Sequence, residues 1–150
     1  ASINTKNIHR SNALLGHLYG TDFIYDEMML TGPGAEGKAI ANHLAGDNSM
    51  AKNPPKPGEG PSKQEREAGG YDVLMIGSHV DGGEIRIRVT GDKDPGYGST
   101  SKIITEAALC LIEECSDTAG GVWTPAAAIG KKLFPRLIER AGLTFKVVNA

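Results

Sequence analysis

An α+β domain, with helices packed on a mixed, largely antiparallel sheet, is what this sequence predicts. Its hydrophobic periodicity switches between a two-residue and a three-to-four-residue repeat along the chain. The two-residue stretches are short, and one pair is joined by turn chemistry rather than by a crossover helix. Strands and helices neither alternate strictly nor segregate. With 150 residues, 39% of them hydrophobic and 23% charged, the chain is one domain's worth, 1–150, and long enough to bury a core.

The elements follow in order. "HRSNALLGHLYG", Ile8 to Gly20, mixes polar and apolar residues and fits a short helix or turn. In "DFIYDEMML" Phe23, Tyr25 and Met29 share one face at strand spacing, with Glu27 interrupting, so a strand with one covered face is expected. Gly32-Pro33-Gly34 ends it, and "AEGKAIANHLAG" places Ile40, Ala41 and Leu44 on one helical stripe before a stop at Gly46. "YDVLMIG" and "EIRIRVTG" read as two strands of a hairpin turned at Asp81-Gly82. Ile85, Ile87 and Val89 should face the core, and Arg86 and Arg88 should face out, as a solvated strand face or as ligand contacts. A helix follows on Ile103, Ile104, Ala107, Ala108, Leu111 and Ile112 and ends near Cys115. Thr124 with Pro125 behind it signals another helix start, Gly142 its end, and Pro135 should bend or divide it. "LTFKVV" is the last strand.

Between Asp47 and Gly70 the composition breaks, with Pro54, Pro55, Pro57 and Pro61 among Lys, Glu and Gly. This 47–70 excursion cannot be a core element; it reads as a surface loop, a flap over a site or an arm gripping a second subunit. It should be poorly ordered, or held only by a partner. Ser62 with Glu65 forms a capping-box pattern inside it, with a stop at Gly69, which suggests a turn or two of helix.

A formal charge of −2 gives no electrostatic reason to expect nucleic acid. No apolar run has the length of a membrane helix and no secretory leader is visible, so no membrane partner and a cytoplasmic location are expected. Cys110 and Cys115 fall in one expected helix, with side chains pointing apart, and read as buried or half-buried reduced thiols rather than a disulfide. His9, His17, His43 and His79 are scattered, and no metal site is expected.

The stretch with the strongest chemical signal is "GDKDPGYGSTSK", Gly91 to Lys102. It is not a phosphate-binding P-loop, because Lys102 does not directly follow a glycine. Nor is it a dinucleotide fingerprint, since Ser101 stands where the third glycine would let helix and strand pack. Gly96 and Gly98 permit a tight turn, and Ser99, Thr100 and Ser101 crowd a helix N-terminus, where free N–H groups favour an anion. Ser99 or Thr100 capping its own helix explains the same residues without a ligand. Ser11 or Asn12 in "HRSN" has the same two readings.

Taken together, "HRSNALLGHLYGTDFIYDEMMLTGPG", "KPGEGPSKQEREAGGYDVLMIG", "GDKDPGYGSTSKIITEAALCL" and "GGVWTPAAAIGKKL…AGLTF" resemble the C-terminal part of the saccharopine dehydrogenase-like oxidoreductases, particularly the bacterial branch often labelled trans-acting enoyl reductase. The likeness runs from His9 to Val147. It implies a dehydrogenase C-terminal-domain-like fold that binds substrate and pairs subunits, next to an N-terminal Rossmann domain that this chain lacks. The absent initiator methionine and nucleotide loop fit that reading of an excised C-terminal domain. It implies NAD or NADP in the full-length protein, none bound by this chain alone, and no activity of the chain by itself. A small-molecule substrate, the parent's Rossmann domain and a second copy in a homodimer are the implied partners.

The likeness also places the helix start near Ser99 at the cleft where nicotinamide and substrate meet. By it, His9, Arg10, Asn12, Tyr97, Ser99, Thr100, Trp123 and Thr124 are the candidate substrate-binding residues. Arg10 would pair with a substrate carboxylate or phosphate, and Tyr97 is the candidate proton donor. The two helix starts and Arg10 are expected on one concave surface, as a pocket for an anion. Two further readings stay open: a non-catalytic binding or assembly module with the same fold, and a small anion-binding protein complete in itself.

Overall fold

The structure is a computed structural model that describes residues 2–48, 52, 54 and 56–148. It is α+β. Helix α1 (Ser2–Leu14), α2 (Gly34–Gly46) and the short α3 (Lys63–Ala68) precede a hairpin of β1 (Tyr71–Ser78) and β2 (Glu84–Gly91). Two longer helices, α4 (Gly98–Glu114) and α5 (Pro125–Glu139), then lead into β3 (Leu143–Val148). The sheet has the order β1-β2-β3 and is antiparallel throughout.

The register sorts the side chains into two faces. Val73 pairs with Val89 and Val89 with Phe145, while Met75 pairs with Ile87 and Ile87 with Val147. Strand pleating therefore puts all of these on one apolar face and turns Asp72, Arg86, Arg88 and Lys146 to the other. Arg88 makes a paired contact with Asp72, and Arg86 with Glu84, so the solvated reading of both arginines holds.

Helices α4 and α5 form an antiparallel hairpin that covers only the near end of the apolar face. Phe134 packs on Phe145 with ring centroids 4.7 Å apart, and Val89 and Leu143 are buried. Between the two helices lies the other part of the core, where Cys110, Cys115, Ile129 and Leu133 meet, with Ala107, Ala128 and Leu137 around them. Beyond the reach of the helices the same face is bare: Met75 and Ile85 are each 52% exposed and Val147 68%.

Several local expectations are met. Ser62 and Glu65 make both halves of the capping box, and Gly69 ends α3. Thr124 precedes Pro125 at the start of α5. The β1–β2 turn closes through His79 N to Gly83 O at 2.8 Å with Gly82 at φ +87°.

Others are corrected. Residues 23–31 form no strand and have no strand partner among the described residues; on the face expected to be covered, Phe23 and Tyr25 are half-buried and Met29 is exposed. The first helix begins at Ser2, well before Ile8, and α5 continues unbroken through Pro135. The 47–70 excursion touches the rest of the chain at Arg66, whose carbonyl accepts from Asp94 N at 3.1 Å, and within it Arg66 Nη1 donates to Pro61 O at 2.6 Å. Of that stretch, 49–51, 53 and 55 lie outside the described residues.

Candidate functional site

The glycine-rich turn between β2 and α4 has an occupant. Asp94 curls back so that its Oδ1 accepts from Gly96 N at 3.0 Å and Tyr97 N at 2.9 Å, while its Oδ2 accepts from Gly98 N at 2.5 Å. Its carbonyl accepts from Ser99 N at 2.8 Å. The N–H groups that a helix start would offer to a foreign anion thus serve the chain's own carboxylate. Burial works against the charge on Asp94, but the three backbone donors outweigh it and hold the carboxyl below its ordinary range.

Gly98 is required there. A Cβ would come 2.7 Å from Asp94 Oδ2 and 2.9 Å from Lys93 Cβ. A dinucleotide pyrophosphate bound to these N–H groups would have to displace the like charge of Asp94 from them.

The remaining candidates near this turn are Tyr97, Ser99 and Thr100. Ser99 is fully buried and its Oγ lies 3.0 Å from the Tyr71 hydroxyl, a neighbour not singled out from sequence. Thr100 Oγ1 donates to Pro95 O at 2.7 Å. Neither serine nor threonine caps α4 through its side chain. Tyr97 is exposed, with its ring over Gly60.

A second group gathers where α1 meets the start of α5. Ser11 Oγ and Thr124 Oγ1 are 2.7 Å apart, so Thr124 bonds to α1 instead of capping its own helix. Arg10 Nη2 donates to Val122 O at 3.2 Å, and no acidic side chain pairs with it among the described residues. His9 stacks obliquely on Phe23 at 5.7 Å. Trp123 Nε1 donates to Ala119 O at 2.9 Å. Asn12 is buried and its amide clasps the next turn, giving to Gly20 O at 2.8 Å and receiving from Tyr19 N at 2.9 Å. That assigns Asn12 to the fold. Arg10, His9 and Trp123 are the members that face solvent.

These two groups do not form one pocket. Lys132 reaches Glu114 O and Asp117, Arg136 reaches Glu106, Glu113 and Glu114, and Arg140 reaches Glu106, so α4 and α5 run antiparallel. Their N-termini point to opposite ends, and a helix of 17 residues is about 25 Å long. The expected shared surface for Arg10 and the helix starts at Ser99 and Thr124 is therefore not formed within this chain.

Sequence reasoning also passed over Arg136. It continues the buried stripe Ile129–Leu133 at helical spacing and is only 5% exposed. Nε bonds to Glu106 at 2.9 Å, and Nη1 bonds to Glu113 at 2.8 Å and Glu114 at 2.5 Å. Those carboxylates raise its pKa further, against the cost of burial. The signal was present: a lone arginine on a core stripe facing a helix with three glutamates. No group of three or more potential metal ligands occurs among the described residues, and no helix there is long and apolar enough to cross a membrane.

The chain is similar to mycobacterial trans-acting enoyl reductases. A Mycobacterium tuberculosis protein named "Putative trans-acting enoyl reductase" is 36% identical over an alignment that covers 99% of this chain and 40% of that protein. Proteins named "Trans-acting enoyl reductase" from Mycobacterium ulcerans and Mycobacterium bovis are 32% and 30% identical, over 89% and 91% of this chain. The chain thus spans about two fifths of the length of the curated relatives it matches. No protein-family model matches it. No solved structure matches it either.

Proposed function

We propose that this chain is the substrate-binding and subunit-pairing domain, C-terminal in its parent, of a longer nicotinamide-dependent reductase of the saccharopine dehydrogenase-like kind. Its substrate would be an enoyl compound. The observation that carries the reading is the likeness to a trans-acting enoyl reductase over 99% of this chain but 40% of the relative. The bare distal half of the sheet supports it, as a face that a neighbouring domain or subunit would cover.

Within this chain the group at the α1–α5 junction is the better seat for an anionic end of the substrate. Arg10 is exposed there, engaged only by a carbonyl, with His9 and Trp123 beside it. Tyr97 remains the candidate proton donor, at the other end of the hairpin. A cleft that used both would have to be completed by the rest of the longer protein. A nicotinamide cofactor would supply hydride, and its phosphates would be held outside this chain.

The test uses the full-length polypeptide, followed by loss of reduced-nicotinamide absorbance with an enoyl thioester. Arg10→Ala should raise the apparent KM about tenfold or more, as loss of one charge-assisted contact does, with little change in melting temperature. A second reading, a non-catalytic assembly module, is favoured by the turn being filled by Asp94. A full-length protein that neither binds a nicotinamide nucleotide nor reduces any enoyl thioester would establish it instead.

A further inference from the structure

Cys110 and Cys115 do not diverge as two residues of one helix would. Helix α4 ends at Glu114, and Cys115 takes the non-helical angles φ −117°, ψ 34° as its C-cap. That departure swings its side chain back over the last turn, and the two Sγ atoms come to 3.7 Å. Both thiols are free, and both are buried in the core between α4 and α5. They are the chain's only cysteines. A disulfide needs the sulfurs to close to about 2.05 Å, and Cys115 stands at the hinge between a rigid helix and the loop 116–124, where such a movement is accommodated most easily.

We infer that Cys110 and Cys115 form a reversible dithiol–disulfide pair, a redox modification site at the α4–α5 junction, with a low-molecular-weight disulfide such as oxidised glutathione as the oxidant. The Cys115 thiolate attacks one sulfur of the oxidant, which releases one glutathione thiolate and leaves a mixed disulfide. Cys110, once deprotonated, attacks Sγ of Cys115 and releases the second thiolate. Two protein thiols are oxidised and one disulfide is reduced to two thiols.

Cys115 is the entering nucleophile because it is the less buried of the two, 5% exposed against 0% for Cys110, and as the C-cap it is uncovered when the loop 116–124 opens. Burial, and then the neighbouring Cys115, push the Cys110 thiol up, so it acts second. The closed pair draws Cys115 toward α4, and with it the loop that carries Asp117 on Lys132, Val122 on Arg10 and Thr124 on Ser11. Oxidation is thereby coupled to the contact between α1 and α5.

The 150-residue chain is equilibrated under native conditions in buffers of varied oxidised-to-reduced glutathione ratio, quenched with acid and alkylated. Thiol counting and intact mass are then read. The expected result is loss of both thiols together, with a mass lower by two hydrogens and no glutathione adduct, and full recovery with dithiothreitol. Cys110→Ala and Cys115→Ala should each stop at a mixed disulfide or an unmodified thiol. Two free thiols throughout the series, mixed disulfides in the unaltered chain, or closure only in denaturant would overturn the inference. Because the decisive readings come from the unaltered chain, misfolding of either variant leaves the test intact. Hydrogen exchange in 116–124 should differ between the two forms, and an unchanged pattern would overturn the coupling to α1.

Discussion

Replacing Asp94 by alanine removes one acceptor from three backbone N–H groups at the head of α4, and the variant should melt several degrees lower. Asp94→Asn keeps an acceptor but loses the charge, so it should fall between the two. The pH dependence separates charge from shape. A carboxyl held low in the folded state stabilises fully above its unfolded value of about 3.9, and the contribution is lost as pH falls through the lower folded value. Melting curves of the parent and Asp94→Asn should therefore differ near neutrality and converge in acid. A gap that persisted in acid would mean that the asparagine perturbs the turn sterically. From sequence, the same stretch was legible as an anion-accepting helix start. The identity of the anion was not, because nothing in the spacing of Asp94 and Gly98 distinguishes a carboxylate that folds back from one that faces solvent.

Among the elements, those specified by neighbours in sequence were readable: the β1–β2 hairpin from Asp81-Gly82, α3 from Ser62 and Glu65, and the start of α5 from Thr124-Pro125. The element misread was 23–31, whose alternation is a strand's but whose partner is not supplied by anything adjacent in the chain. The shared pocket was misplaced for a different reason. The ion pairs between α4 and α5 make the two helices antiparallel, so their N-termini cannot converge, but a ten-residue connection, 115–124, leaves that orientation open in the sequence. The cysteine directions were misjudged because the end of α4 falls between Cys110 and Cys115. Pro135 offers a test at this scale. It lies exposed inside α5, where it cannot donate to the preceding turn. Pro135→Ala should thus stabilise the chain by about 2 kcal/mol, after allowing for the greater freedom of the unfolded variant. Chemical denaturation would measure it, and a neutral or negative change would show that the helix has already absorbed the proline by bending.

The whole molecule exposes 11308 Å², whereas a compact monomer of 15.8 kDa would expose about 7,300 Å² by the scaling of surface with mass. The excess, about 4,000 Å² on this one chain, is more than the share of about 1,000–2,500 Å² that each partner typically gives to an obligate interface. Its apolar part includes the distal sheet face at Met75, Ile85 and Val147, residues 24 and 28–30, and Ile104, Leu111 and Ile112 on α4. The isolated chain should accordingly bind an apolar fluorescent dye or self-associate, and the longer protein should do neither at those faces. Light scattering with dye titration checks this, and a dye-silent monomer would count against a missing neighbour. At the same scale, the chain alone should bind NAD or NADP weakly if at all, because the donors that could cradle a phosphate are engaged by Asp94. Calorimetric titration at millimolar nucleotide is the measurement, and low-micromolar affinity would move the nucleotide site into this domain.

The single tryptophan of the chain is Trp123, and its indole is tied to Ala119 O inside the loop that joins α4 to α5. All tryptophan emission therefore comes from one corner of the molecule, where neighbouring Val122 O accepts from Arg10 and where the loop that starts at Cys115 reaches α5. The protein carries a built-in optical probe of that corner, readable without labels, and its colour reports the polarity around the loop rather than the state of the sheet.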